Sequence, residues 1–151
     1  MAGPIDGAAR QINYFPLRLT EICMLPAYAY LLHLLSGCVL LAVFFAIYTW
    51  ITPFDEIALI REGNMAAALS LAGAIIGFCL TLASSILHSE SYEVFLIWSA
   101  GAMVVQTVGY AAITRMLPQM DGAIEHNNAA MGALMGLASL ALGIINAACL
   151  S

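Results

Sequence analysis

Lysine is absent from this chain, and its four arginines face nine acidic residues, for a net charge of −5. That balance excludes the cationic footprint on which nucleic-acid binding depends, and a polybasic patch that would grip anionic lipid. Charge of either sign is scarce, at 9% of residues, and it is kept out of the interiors of four long apolar runs. No Asp or Glu lies inside those runs, so the intramembrane carboxylate relays of many proton-coupled pumps are missing. The four cysteines, Cys23, Cys38, Cys79 and Cys149, show no zinc, haem or redox spacing and read as small apolar residues. There is no phosphate-binding glycine loop and no metal-ligand cluster. Ser84, Ser85 and His88 lie close in sequence but lack an orienting third group, and 84–91 is expected to be a polar turn. Neither an enzyme nor a bound cofactor is expected.

What remains is apolar: 63% of the residues are hydrophobic and the mean hydropathy is +0.95, too little polar surface to coat a soluble globule. The runs cover roughly 27–51, 65–87, 94–117 and 129–150. Each approaches the ~20 residues that a helix needs to cross the hydrocarbon core. The predicted fold is therefore an all-α membrane protein with four transmembrane helices in one domain, 27–151, solvated by the lipid bilayer. Segment 1–26 mixes aromatics, Arg18 and Pro16 and suits a strip at the headgroup level.

Sliding the chain by 64 positions places Gly37 on Gly101, Ile60 on Ile124, Asn64 on Asn128, Ala66 on Ala130, and Ala68 and Ala72 on Gly132 and Gly136. Two repeats, about 27–87 and 91–151, follow from these coincidences. With two spans in each, both units enter the membrane in the same orientation, which disfavours an inverted-repeat transporter. Arg61 and Arg115 occupy short loops tied at both ends to helices, so those loops are expected in the cytoplasm and both termini outside.

In the first loop, Thr52-Pro53-Phe54-Asp55-Glu56 predicts a short interfacial helix over about 53–62, capped by Thr52 with Pro53 in its first turn. Phe54 and Ile57 would rest on the headgroup boundary and Asp55 and Glu56 would face water, forming a candidate partner-docking surface. Asn64, and Asn127 with Asn128, are expected to cap the helices that follow. The competing expectation is that these amides, with Gln106, line a vestibule. Gln106 lies near the middle of the third span and either fixes helix register by a hydrogen bond or contacts a transported species. His33 and Asn146 are further polar candidates near span ends. Gly73 and Gly77, with Gly132 and Gly136, recur every four positions and predict close helix packing. A homo-oligomer is expected, a dimer being the simplest.

The combination Ile51-Thr52-Pro53, Glu56, Leu59-Ile60, Asn64-Met65-Ala66-Ala67, Gly73, Gly77, Trp98, Val105-Gln106, His126-Asn127, Ala129-Ala130, Gly143-Ile144 and Asn146-Ala147-Ala148-Cys149 resembles the small bacterial inner-membrane proteins of the YjfL type. The resemblance covers about 51–149 and implies a polytopic protein of the bacterial cytoplasmic membrane with a duplicated two-helix unit. Family members are often encoded near envelope-stress proteins, which suggests membrane maintenance and an envelope-stress partner. Two functions are carried forward: a non-enzymatic membrane component that self-associates or anchors a partner, and a small channel or transporter subunit with an amide-lined path formed on oligomerisation.

Overall fold

The computed structural model describes the backbone over 6–150 and side chains from Pro26 onward. The order is α1 (Asp6–Ile51), α2 (Glu56–Arg61), α3 (Met65–His88), α4 (Tyr92–Met116), α5 (Met120–Glu125) and α6 (Ala129–Cys149). Among the described residues, four stretches are long and apolar enough to cross a membrane: Pro26–Ile51, Met65–His88, Tyr92–Met116 and Ala129–Cys149. They start and stop within two residues of the predicted runs. The headgroup strip expected over 1–26 lies outside the described side chains.

The chain divides into two compact units, 1–36 and 37–151. In the described part of the first, Tyr28, Tyr30, Leu31 and Leu35 are exposed. His33 Nδ1 lies 2.7 Å from the Ala29 carbonyl, and Ser36 donates to the Leu32 and His33 carbonyls. Both are turned onto their own helix backbone, the usual resort of a polar side chain at membrane depth.

The second unit is organised by α3 and α6, which run parallel and in register. Residue i of α3 meets a residue 62 to 67 positions later: a Cβ at Gly73 would land on the Gly136 backbone, one at Gly132 on Ala66, one at Gly136 on the Leu69 carbonyl and one at Gly143 on Gly77. Only glycine allows backbones so close. Hydroxyls fasten the same seam, Thr81 donating to the Gly143 carbonyl at 3.1 Å and Ser84 to that of Ala147 at 2.7 Å. On the other side of α3, Phe44 of α1 stacks on Phe78 at 4.4 Å and Tyr48 meets Tyr110 of α4 edge-on at 4.9 Å. Ser85, the Phe95 carbonyl and Ser99 form a buried chain of hydrogen bonds between α3 and α4. Ser84 and Ser85 thus belong to the last turn of α3, and the turn expected over 84–91 shrinks to Ser89 and Glu90 before Ser91 caps α4.

The loops depart from expectation in two ways. The first helix is shorter than 53–62: Thr52 does not cap it but closes α1, its N–H and hydroxyl both donating to the Tyr48 carbonyl, and Pro53, with no N–H, ends that helix. Asp55 is the cap instead, accepting from Ala58 N–H at 3.0 Å. The second loop carries a short helix of its own, α5, which the sequence did not announce because Gln119 supplies no side-chain cap. The two short helices have equal length and start 64 positions apart, and α3 and α6 also start 64 positions apart. Their exits match as well: the N–H groups of Gly63 and Asn127 donate to Ile60 and Ile124, and those of Asn64 and Asn128 to Leu59 and Ala123. Gly63 (φ +89°) and Asn127 (φ +58°) both take the left-handed conformation that reverses the chain there.

Candidate functional site

Two polar constellations lie where the short helices meet the bundle. The first is an amide clasp between the loops. Asn64 accepts from Ala67 N–H at 2.9 Å, capping α3, while its Nδ2 donates to the Ile124 and Glu125 carbonyls at the end of α5. Asn127 answers from the other side, its Oδ1 accepting from the N–H groups of Met65 and Ala66. Asn128 caps α6 through Met131 N–H at 3.3 Å. Capping was foreseen for Asn64 and Asn128; what sequence could not show is that Asn127 caps a helix 62 residues earlier. Asn127→Gly keeps the left-handed backbone and removes only the shared acceptor, so a loss of about 1 kcal/mol is expected in equilibrium unfolding.

Gln106 stands apart from this clasp. Its Nε2 donates to the Ser139 carbonyl at 2.9 Å and lies against Gly77, some 13 residues or ~20 Å along α3 from Asn64. The amides therefore occupy two places rather than one vestibule. The buried Gln106 Oε1 has no hydrogen-bond partner among the described residues, which offsets the bond made by Nε2. Gln106→Leu should accordingly change stability by less than about 1 kcal/mol, measured by the same unfolding titration. Asn146 Nδ2, late in α6, is likewise buried without a partner among the described residues.

The second constellation was not foreseen. Glu56, expected in water, is buried with 1% of its surface exposed, and Phe54 is buried beside it in sequence at 9%. The Asp55 cap fixes the start of α2 so that Glu56 turns inward, and Asp55 and Ala58 take the outer face. The candidate docking surface is corrected accordingly: Phe54 and Glu56 are not available to a partner, Ile57 is half-buried, and only Asp55 is open. Both Glu56 carboxylate oxygens lack a hydrogen-bond partner among the described residues, as do the Tyr110 hydroxyl and Asp121 Oδ1. Glu56 and Asp121 lie within electrostatic reach of the Tyr48 and Tyr110 hydroxyls; Tyr48 also pairs with Ser70 at 3.1 Å.

Burial pushes the Glu56 carboxyl up to about 7; the Thr52 hydroxyl, although its proton goes to the Tyr48 carbonyl, offsets part of this, and Asp55 adds to it. Burial, and then Glu125, raise Asp121 as well. The signal in sequence was faint: Glu56 directly follows Asp55, a residue equally able to cap a helix, and with Thr52 taken as the cap both were expected to face water.

At the other end of the bundle a cavity of about 130 Å³ is lined by Ser85, His88, Ser89, Trp98, Cys149 and Leu150. Of its two serines, Ser85 donates to the Phe95 carbonyl, while His88 Nδ1 lies 3.0 Å from the Ser84 carbonyl and 3.4 Å from the Ser84 hydroxyl on its own helix.

Comparison with known proteins agrees with this architecture. Residues 20–150 match the family model Domain of Unknown Function (DUF350). The UPF0719 inner membrane protein YjfL of Escherichia coli (strain K12) is 35% identical over 115 residues, covering 76% of this chain and 87% of the relative. The UPF0719 transmembrane protein YshE of Bacillus subtilis (strain 168) is 26% identical over 110 residues, covering 72% and 82%. No solved structure gives a significant match. With four membrane-crossing helices and a family match over nearly all the described residues, this chain belongs to the DUF350 family of multi-pass membrane proteins.

Proposed function

We propose that the protein is a non-enzymatic component of the bacterial inner membrane that works by self-association, built from two copies of a 64-residue unit of span, short helix and span. The observation that carries this reading is the α3–α6 seam. Five glycines, Gly73, Gly77, Gly132, Gly136 and Gly143, bring its backbones into contact, Thr81 and Ser84 of α3 donate to α6 carbonyls across it, and Gln106 of α4 donates to the Ser139 carbonyl of α6 beside Gly77. The matching short helices and left-handed exits support the duplication, and the inner-membrane relative supports the location. Arg61 and Arg115 are both exposed at the loop end, which favours that end in the cytoplasm.

Self-association is supported by glycines that the single chain leaves open. A Cβ at Gly37 or Gly101 would meet nothing within 4 Å among the described residues, and Gly101 stands among exposed Ile97, Val104, Val105 and Val108. A face of that kind accepts a second helix closely. Native mass spectrometry of protein released gently from its own membrane should show a closed homo-oligomer, a dimer in the simplest case. A monomer that stays alone at all protein-to-detergent ratios rejects the reading, and a fixed complex with an envelope-stress protein would replace self-association by anchoring.

A further inference from the structure

A carboxylate with no donor cannot be kept ionised inside a protein without a large cost, so a buried, unpartnered Glu must either hold its proton or leave. Glu56 is in that position: nearly all its surface is covered and neither oxygen is hydrogen-bonded among the described residues. Of the groups around it, Asp55 from its own loop makes ionisation harder, and Thr52, whose hydroxyl donates to the Tyr48 carbonyl, offsets only part of the burial; Tyr48 from α1, Tyr110 from α4 and Asp121 from α5 belong to the same cluster and carry no positive charge. The nearest arginine in sequence, Arg61, is on the exposed side of α2, and Arg115 is exposed as well.

The segment that carries Glu56 is also built to move as a piece. Pro53, which donates no hydrogen bond, precedes it, and Gly63, at φ +89°, follows it. Between them α2 is only six residues long, held to the rest of the unit by the buried side chains of Phe54 and Glu56 and the half-buried Ile57, Leu59 and Ile60. The side-chain clasp of Asn64 and Asn127 lies beyond Gly63 and joins the start of α3 to the end of α5 and the turn after it.

We propose that Glu56 is a proton-binding site of this protein, holding one proton while α2 is packed on the bundle end and releasing 53–63 when that proton passes to water. The proposal goes beyond the assembly described above and does not depend on copy number. The elevated carboxyl, near 7, sets the exchange within the range of a bacterial cytoplasm rather than at an acidic extreme.

Hydrogen exchange of the full-length protein in lipid nanodiscs, corrected for the intrinsic pH dependence of exchange, tests it. The reporters are the Glu62, Gly63 and Asn64 amides, which donate to Ala58, Ile60 and Leu59. Protection should be greatest below about pH 4.5, fall by up to about tenfold for each pH unit above it, and level off above about 7, where Glu56 is ionised whether α2 is packed or free. The helical core of α3 should not change over the same range. Glu56→Gln should stay protected throughout, and the infrared band of a protonated carboxyl that titrates in the wild type should be missing from it. Asp121→Asn should keep the transition.

Protection that is flat with pH in the wild type overturns the proposal, and so does a carboxyl band that titrates without any opening, because water would then be reaching Glu56 in place. A transition abolished by Asp121→Asn but kept in Glu56→Gln would assign the proton to Asp121 and overturn it equally. Should Glu56→Gln fail to insert, the wild-type band and exchange profiles, read with Asp121→Asn, still decide between these outcomes.

Discussion

Gly136→Ala should lose about 3 kcal/mol of stability while Gly101→Ala, a chemically identical change, loses almost none. At Gly136 a methyl would fall on the Leu69 carbonyl, and no side chain stands there to yield; the helix backbones themselves would have to separate. Overpacking a tight interior typically costs 1–3 kcal/mol, and a backbone obstacle puts this case at the upper end. The separation would not stay local, since the neighbouring contacts Gly73–Gly136 and Gly132–Ala66 lie on the same seam, as do the hydroxyl bonds from Thr81 and Ser84. Gly101 has nothing within 4 Å, so its methyl would enter open space and gain the small helix-propensity advantage of alanine. Denaturing-detergent titrations of both variants measure the difference. Equal stabilities would mean that α3 and α6 are not in backbone contact.

The contrast between these two glycines also shows where sequence stops being informative. The spans were legible because length and apolarity alone decide what crosses a bilayer, and their bounds moved by no more than two residues. Gly73, Gly77, Gly132 and Gly136 were legible as packing residues through their spacing of four, but the spacing did not say that they face one another across parallel helices. Gly143, outside any such repeat, contacts Gly77 just as closely. The amides were half legible. An Asn before an apolar run predicts a cap, and Asn64 and Asn128 are caps; the bonds that cross from one loop to the other join residues about 60 positions apart, which no local pattern encodes. Glu56 was misplaced for a definite physical reason. Which way the first turn of a six-residue helix faces depends on whether Thr52 or Asp55 caps it, and a shift of three residues moved the only carboxylate that mattered from water to the interior.

That misplaced carboxylate makes the stability of the protein fall as pH rises through a range where most proteins are indifferent. Below about pH 4.5 Glu56 is protonated in the folded and the unfolded chain alike and contributes no pH dependence. As pH climbs, the unfolded chain releases its proton first, while the folded one holds on until about 7. Over that window the folded state binds more protons than the unfolded, so each step upward favours unfolding, and the loss levels off once both are ionised. The rise from 4.5 to about 7 sets an upper bound of ~3 kcal/mol; with some solvent reaching the loop, a fall of about 2 kcal/mol between pH 4.5 and 7.5 is expected. Asp121, raised by burial and Glu125, adds a smaller fall of the same sign. Glu56→Gln should remove most of the decline and be more stable than the wild type at pH 7.5, because a neutral amide of the same shape needs no proton to remain buried. Unfolding titrations of wild type, Glu56→Gln and Asp121→Asn at matched pH values separate the two contributions. A wild type whose stability is flat, or rises, between pH 4.5 and 7.5 would mean that Glu56 reaches water in the folded protein.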